Sequence, residues 1–145
     1  MKKWRRNLPH IETEDSVYFI TFRSESIIFT KEERLIIMEH LRGGDDKFYS
    51  LFSALVMPDH VHIVLQPNRG VELSRIMKGI KGASAKKINS ARGANGIVWQ
   101  EEYWDRTIRD DKEFEDTINY IYLNPLRKEL VKNIEDWDAW YCKLW

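Results

Sequence analysis

His60 and His62 are separated by one residue in an apolar run, and Tyr120 and Asn124 stand four residues apart in a later segment with helical periodicity. Two imidazoles and a carboxamide can hold a divalent cation over a phosphodiester, and a phenol can attack its phosphorus. The metal half can be argued from local geometry. Leu55-Val56-Met57-Pro58-Asp59-His60-Val61-His62-Ile63-Val64-Leu65 is rich in β-branched residues and broken only by the turn pair Pro58-Asp59. It predicts two strands joined by a tight reversal. Residues two apart on a strand share a face at about 7 Å, so His60 and His62 converge while Val61 and Ile63 face elsewhere. The same alternation is also that of an ordinary half-buried strand, and taken alone the motif does not separate the two.

The second half rests on a helix. Asp110 is placed as an N-cap and Glu113 to close a capping box. Phe114, Ile118 and Ile121 then share one face, and Tyr120 points more than a right angle away with Asn124 one turn beyond. Tyr120 is the candidate nucleophile and Asn124 the candidate third ligand. Asn124-Pro125 also reads as an N-cap followed by proline, opening a further helix over Leu126–Val131. The two roles of Asn124 are compatible.

Together these segments resemble the single-tyrosine HUH transposases, and among them the REP-associated tyrosine transposases. The resemblance is carried by Met57-Pro58-Asp59-His60-Val61-His62, by Trp99-Gln100-x-x-Tyr103-Trp104-Asp105-Arg106-x-Ile108-Arg109, and by Tyr120-Ile121-x-Leu123-Asn124-Pro125-Leu126. It implies that His60 and His62 are metal ligands, that Tyr120 rather than Tyr122 is the nucleophile, and that Asn124 stands where insertion-sequence members have a glutamine. It further implies Mg²⁺ or Mn²⁺ as cofactor. The implied activity is cleavage and rejoining of single-stranded DNA near a hairpin, either a repetitive palindrome or an insertion-sequence end, through a 5′-phosphotyrosine. Family members act as homodimers that exchange tyrosine helices or as monomers, and the residues of this chain leave both open. The competing function is a non-catalytic hairpin DNA- or RNA-binding module on the same sheet, although no RNP-type aromatic run is present. A structural zinc would need ligands from His10, His40 and Cys142, which sit in no recognisable spacing with the pair.

Net charge is zero, with 23 basic and 23 acidic residues, yet the charge is segregated. Arg69, Arg75, Lys78, Lys81, Lys86, Lys87 and Arg92 face a single acid, Glu72, across their segment. Such a segment is the footprint of a nucleic-acid backbone as well as of a solvated helix face. Lys78, Lys81 and Lys87 are the expected DNA contacts, with Gly79 and Gly82 allowing close approach.

At 145 residues and 43% hydrophobic content the chain suits one domain. No apolar stretch approaches the ~20 residues of a membrane span, and the basic start Met1-Lys2-Lys3-Trp4-Arg5-Arg6 lacks an apolar signal core. One cysteine, Cys142, permits no internal disulfide and points to the cytoplasm. The expected elements are a strand over Val17–Arg23, a helix over Thr30–Leu41, and strands over Phe48–Met57 and His60–Gln66. A helix over Leu73–Ser90, a strand over Ile97–Ile108 and the tyrosine helix follow. That order is an α+β, ferredoxin-like βαββαβ sandwich with an antiparallel sheet and an added C-terminal helix carrying the tyrosine.

Overall fold

The computed structural model describes residues 15–145; the basic start and His10 lie outside the described residues. Strands β1 (Val17–Arg23), β2 (Tyr49–Val56), β3 (His60–Pro67), β4 (Trp104–Ile108) and β5 (Trp140–Cys142) form one sheet in the order β4-β1-β3-β2-β5. Every neighbouring pair is antiparallel. The helices are α1 (Lys31–Gly43), α2 (Leu73–Arg92), α3 (Asp111–Tyr122) and the single turn α4 (Asn124–Arg127). The expected βαββαβ order is present, with β5 added at the β2 edge.

Alternation along the strands decides which helix covers which face. Ile20, Phe22, Val61, Ile63 and Leu65 pack with Ile37 and Leu41 of α1 and Ile76, Ile80 and Ile88 of α2. Val17, Phe19, Val64 and Ile108 point the other way and pack with Phe114, Ile118 and Ile121 of α3. A bulge between Leu51 and Ser53 shifts β2 by one residue, so that Leu55 and Met57 join the α3 side. Each of the three α3 anchors is fully buried, worth about 1.5–3 kcal/mol apiece. These three anchors fix the rotation of the helix about its own axis and with it the direction of Tyr120.

Several boundaries follow the sequence. Thr30 caps α1 by accepting from Glu33 N–H, and the Glu33 carboxylate accepts from Thr30 N–H at 2.9 Å. Asp110 likewise accepts from Glu113 N–H, but Glu113 turns its carboxylate to Arg109 instead, so only half of the expected capping box forms.

Two expectations are corrected, and one strand is added. The strand over Ile97–Ile108 reduces to Trp104–Ile108 plus one isolated bridge between Trp99 and Ser24. Trp99 is pulled under α2, donating from its indole to Ser84 and packing edge-on against Phe22, and the chain between the two tryptophans leaves the sheet edge. The helix over Leu126–Val131 is the short turn α4, whose first residue is Asn124 and whose cap is Leu123. Glu129 stops it by taking a left-handed φ of 58°, and Leu130 N–H bonds back to Pro125 C=O. The aromatic tail supplies β5, an edge strand too short to show as a period, with Trp137 donating to Val56 C=O. No helix among the described residues is long and apolar enough to cross a membrane.

Candidate active site

His60 and His62 lie on the face of β3 that α3 covers, as Val64 does two residues further on. Their ring centroids are 4.7 Å apart, and both residues are buried. Each ring is oriented through Nδ1. His60 Nδ1 lies 2.6 Å from a carboxylate oxygen of Asp59, which can only accept, so Nδ1 carries the proton and Nε2 keeps its lone pair. His62 Nδ1 lies 2.8 Å from Thr21 Oγ1, and its Nε2 lies 3.0 Å from the Asn124 amide nitrogen. An amide nitrogen can only donate, so His62 too is neutral with a basic Nε2. Paired orientation of this kind is what metal-ligating histidines show.

Asn124 is buried at the start of α4 and contributes no side-chain cap, so its amide is committed to His62. As oriented, its nitrogen faces the ring; ligation of a cation requires the amide turned over, which brings Oδ1 to the same point. Two neutral imidazoles and a carboxamide oxygen suit a hard or borderline divalent cation that keeps open positions. Among the described residues no group of three or more His, Cys, Asp or Glu could hold a metal. His40 contacts Lys87 between α1 and α2, and Cys142 is buried in β5, so neither can complete a zinc site with the pair.

Burial pushes the His62 imidazole down to about 3, helped by the charges of His60, Arg23, Arg127 and Lys128. Burial also holds His60 below the ordinary histidine range, although Asp59 pulls the other way. The three cations matter in themselves. Arg23 stands opposite His60 in the β1–β3 register, and Arg127 and Lys128 follow Asn124 at the end of α4. Among the described residues none of the three is ion-paired to a carboxylate, so the histidine pair faces positive charge suited to a phosphate.

Tyr120 is half exposed at 54% and lines a cleft of about 570 Å³ together with His62, Thr21, Arg23 and Trp104. The Arg127 guanidinium sits 4.2 Å from the centre of the Tyr120 ring and donates to the Tyr120 carbonyl. Tyr122, by contrast, is buried against Trp140 and Trp145. The sequence-selected His60, His62, Asn124 and Tyr120 are thus brought to one place within one chain.

Lys78, Lys81 and Lys87 are not. They belong to α2, on the opposite face of the sheet. Lys81 donates to Glu101 C=O, and Lys87 lies 3.2 Å from His40. Lys78 and Lys81 do line a second cleft, and Gln100 and Tyr103 are common to it and to the histidine cleft. Residues that the sequence reading passed over are Thr21, Asp59, Arg23, Arg127 and Lys128. Asp59 was signalled by its place beside His60; the others needed the strand register and the α4 turn.

Residues 19–124 match the family profile described as "Transposase IS200 like". The chain is 30% identical over 113 residues to a REP-associated tyrosine transposase of Escherichia coli K12, covering 77% of this chain and 66% of that protein. It is 26% identical over 92 residues to a putative REP-associated tyrosine transposase of Haemophilus influenzae Rd, covering 57% of this chain and 52% of that protein. The chain therefore spans under two thirds of the length of each. Its fold is similar to a REP-associated tyrosine transposase solved bound to a REP hairpin, with TM-score 0.68, 24% identity, and coverage of 97% of this chain and 82% of that one. A putative transposase from Deinococcus radiodurans R1 aligns with TM-score 0.52, 20% identity, and coverage of 86% and 97%.

Proposed function

The chain belongs to the IS200-like transposase family, and from that premise we propose that it cleaves and rejoins single-stranded DNA beside a hairpin, with Tyr120 as nucleophile. The observation that carries the proposal is the meeting of Tyr120 and His62 in one cleft, with Asn124 bonded to that histidine. The hairpin as ligand is supported by the neighbour solved with a REP hairpin.

The residues divide the work. Arg23, Arg127 and Lys128 draw the phosphodiester toward the histidine pair. Arg127, stacked on the Tyr120 ring, holds the phenol where it can attack in line. Tyr120 Oη forms a bond to phosphorus, and the bond from phosphorus to the 3′ oxygen breaks with its electron pair going to that oxygen. The phenol proton is lost to solvent and the leaving oxygen takes one up, giving a 3′-hydroxyl and a 5′-phosphotyrosine. Attack by a 3′-hydroxyl reverses the step, so the energy of the bond is kept and no nucleotide triphosphate is required. Mg²⁺ or Mn²⁺ held by His60, His62 and Asn124 would supply positive charge at the non-bridging oxygens. Thr21 and Asp59 keep the two Nε2 atoms aimed at that position.

In this reading nucleophile and ligand set are supplied by one protomer. The test is a DNA stem-loop with single-stranded flanks, incubated with Mn²⁺ and resolved under denaturing conditions. The wild-type protein forms a covalent adduct and Tyr120→Phe forms none. An adduct that survives in Tyr120→Phe and disappears in Tyr122→Phe overturns the assignment.

A further inference from the structure

The histidine cleft is not the only space that Tyr120 lines. A larger groove of about 1040 Å³ runs between β4 and α3, lined beside Arg106 and Tyr120 by Arg109 and Lys112, whose charges are met by Glu113 and Asp116, and by Asp110 at the helix start. Phe19, Trp104 and Tyr120 line both spaces and so form the ridge between them. Trp104 is the exposed member on the sheet, 50% accessible on the edge strand β4.

The indole is set rather than loose. Trp104, Thr21 and His62 lie in one row across the sheet, Thr21 being paired with both. Phe19 meets the Trp104 ring edge-on at 5.2 Å and the His62 ring at 5.6 Å, so the indole is two ring contacts from the histidine. An exposed tryptophan contributes little to folding where it stands, since half of its surface remains in water. What it offers is a fixed aromatic plane beside the nucleophile.

A cation accompanies it. The Arg106 guanidinium lies 6.0 Å from the Trp104 ring centre and 5.7 Å from that of Phe19, and it donates to Thr117 Oγ1. Among the described residues it has no carboxylate partner. An aromatic plane next to an unpaired guanidinium is the pairing that binds an unstacked base and the phosphate beside it.

We infer that Trp104 is the stacking platform for an unpaired base in the strand flanking the scissile phosphate, with Arg106 holding the adjoining phosphate, so that the flank crosses the ridge from the histidine cleft into the β4–α3 groove. This rests on the proposed DNA-cleaving function. It assigns the β4–α3 groove to single strand rather than to hairpin stem, and it makes Trp104 a determinant of where the phosphate stops relative to Tyr120.

Stacking tolerates any base, so the probe is a DNA stem-loop with a flank of thymidines carrying 5-iodouracil at successive positions, bound in EDTA and irradiated. The expected result is a crosslink to Trp104 from one or two adjacent flank positions. Trp104→Ala loses that crosslink and binds the flanked stem-loop roughly tenfold or more weakly, while its affinity for the same stem-loop without a flank is unchanged. Trp104→Phe restores most of the affinity, which separates a platform from a fold defect. A Trp104→Ala protein that binds flanked DNA as tightly as the wild type overturns the inference, and so does equal weakening for both DNAs. Adduct formation with Mn²⁺ is scored in parallel. Crosslinking at Trp104 without any Tyr120 adduct sinks the cleavage function and leaves the platform standing, whereas an adduct without the crosslink does the reverse.

Discussion

The amide nitrogen of Asn124 lies 3.0 Å from Nε2 of His62, a buried contact that ties the turn after α3 to the middle strand of the sheet. Sixty-two residues of chain separate the two. One turn before Asn124, Tyr120 is thereby held over the same strand, so displacing the amide should disturb nucleophile and ligand set together.

Asn124→Ala should weaken Mn²⁺ binding by at least tenfold, as read by electron paramagnetic resonance of free Mn²⁺. It also leaves His62 Nε2 buried without its donor, at a stability cost of about 1–3 kcal/mol. Wild-type affinity in the alanine protein would remove the amide from the ligand set.

The orienting groups give a second prediction. Thr21→Val keeps the volume of the side chain but removes the acceptor for His62 Nδ1, and Asp59→Asn removes the charge behind His60. Each should cost about 10–100-fold in Mn²⁺ affinity. Nitrogen NMR of the metal-free protein should show a single His62 tautomer in the wild type and in Thr21→Val, where the Asn124 amide still donates to Nε2, and a mixed one in Thr21→Val/Asn124→Ala. A single tautomer in the double variant would leave Thr21 and Asn124 without an orienting role.

Arg127 acts on both the phenol ring and the phosphate. Arg127→Ala should slow adduct formation by about 10²-fold, the usual loss when one charged donor is taken from a developing oxyanion, and Arg127→Lys should recover only part, lacking the planar stack. Melting temperatures should stay close to wild type, because the guanidinium sits on an exposed ring. A large fall in melting temperature would turn the role of Arg127 into a structural one.

Acid should unfold the protein through the histidine as well as the carboxylates. His62 is depressed to about 3 in the folded state, so between that value and the ordinary 6.5 the unfolded chain binds the extra proton. Stability is therefore complete above pH 6.5 and falls as pH drops below it, by at most about 1.4 kcal/mol per pH unit. Glu33, held low chiefly by its hydrogen bonds with Arg92, adds a loss in the same direction below about pH 4.5. Urea titrations at pH 7 and pH 5 measure the first window, and His62→Leu should flatten it. An equal slope in that variant would assign the acid sensitivity elsewhere.

The sequence alone carried the histidine pair, the tyrosine off its apolar stripe, the order of elements from β1 to α3 and the caps of α1 and α3, because each is written in local spacing. Thr30 and Glu33 sit three residues apart, and so do Asp110 and Glu113, within the reach of one helical turn. It did not carry what depends on partners remote in the chain. Thr21, forty-one residues before His62, meets it only through strand register. The strand over Ile97–Ile108 was overextended at its start for a related reason: the pull of Ser84 and Phe22 on Trp99 is invisible to a two-residue period. The basic run was legible in the charge pattern, but charge counts do not say which face of a sheet a helix covers, and α2 lies on the face away from the histidine pair.

The sheet has two open borders of unequal length among the described residues. β5 offers three residues and β4 five, Trp104 to Ile108. The longer border is thus the one that carries Trp104, and a strand added to its backbone would run alongside the indole that flanks the tyrosine.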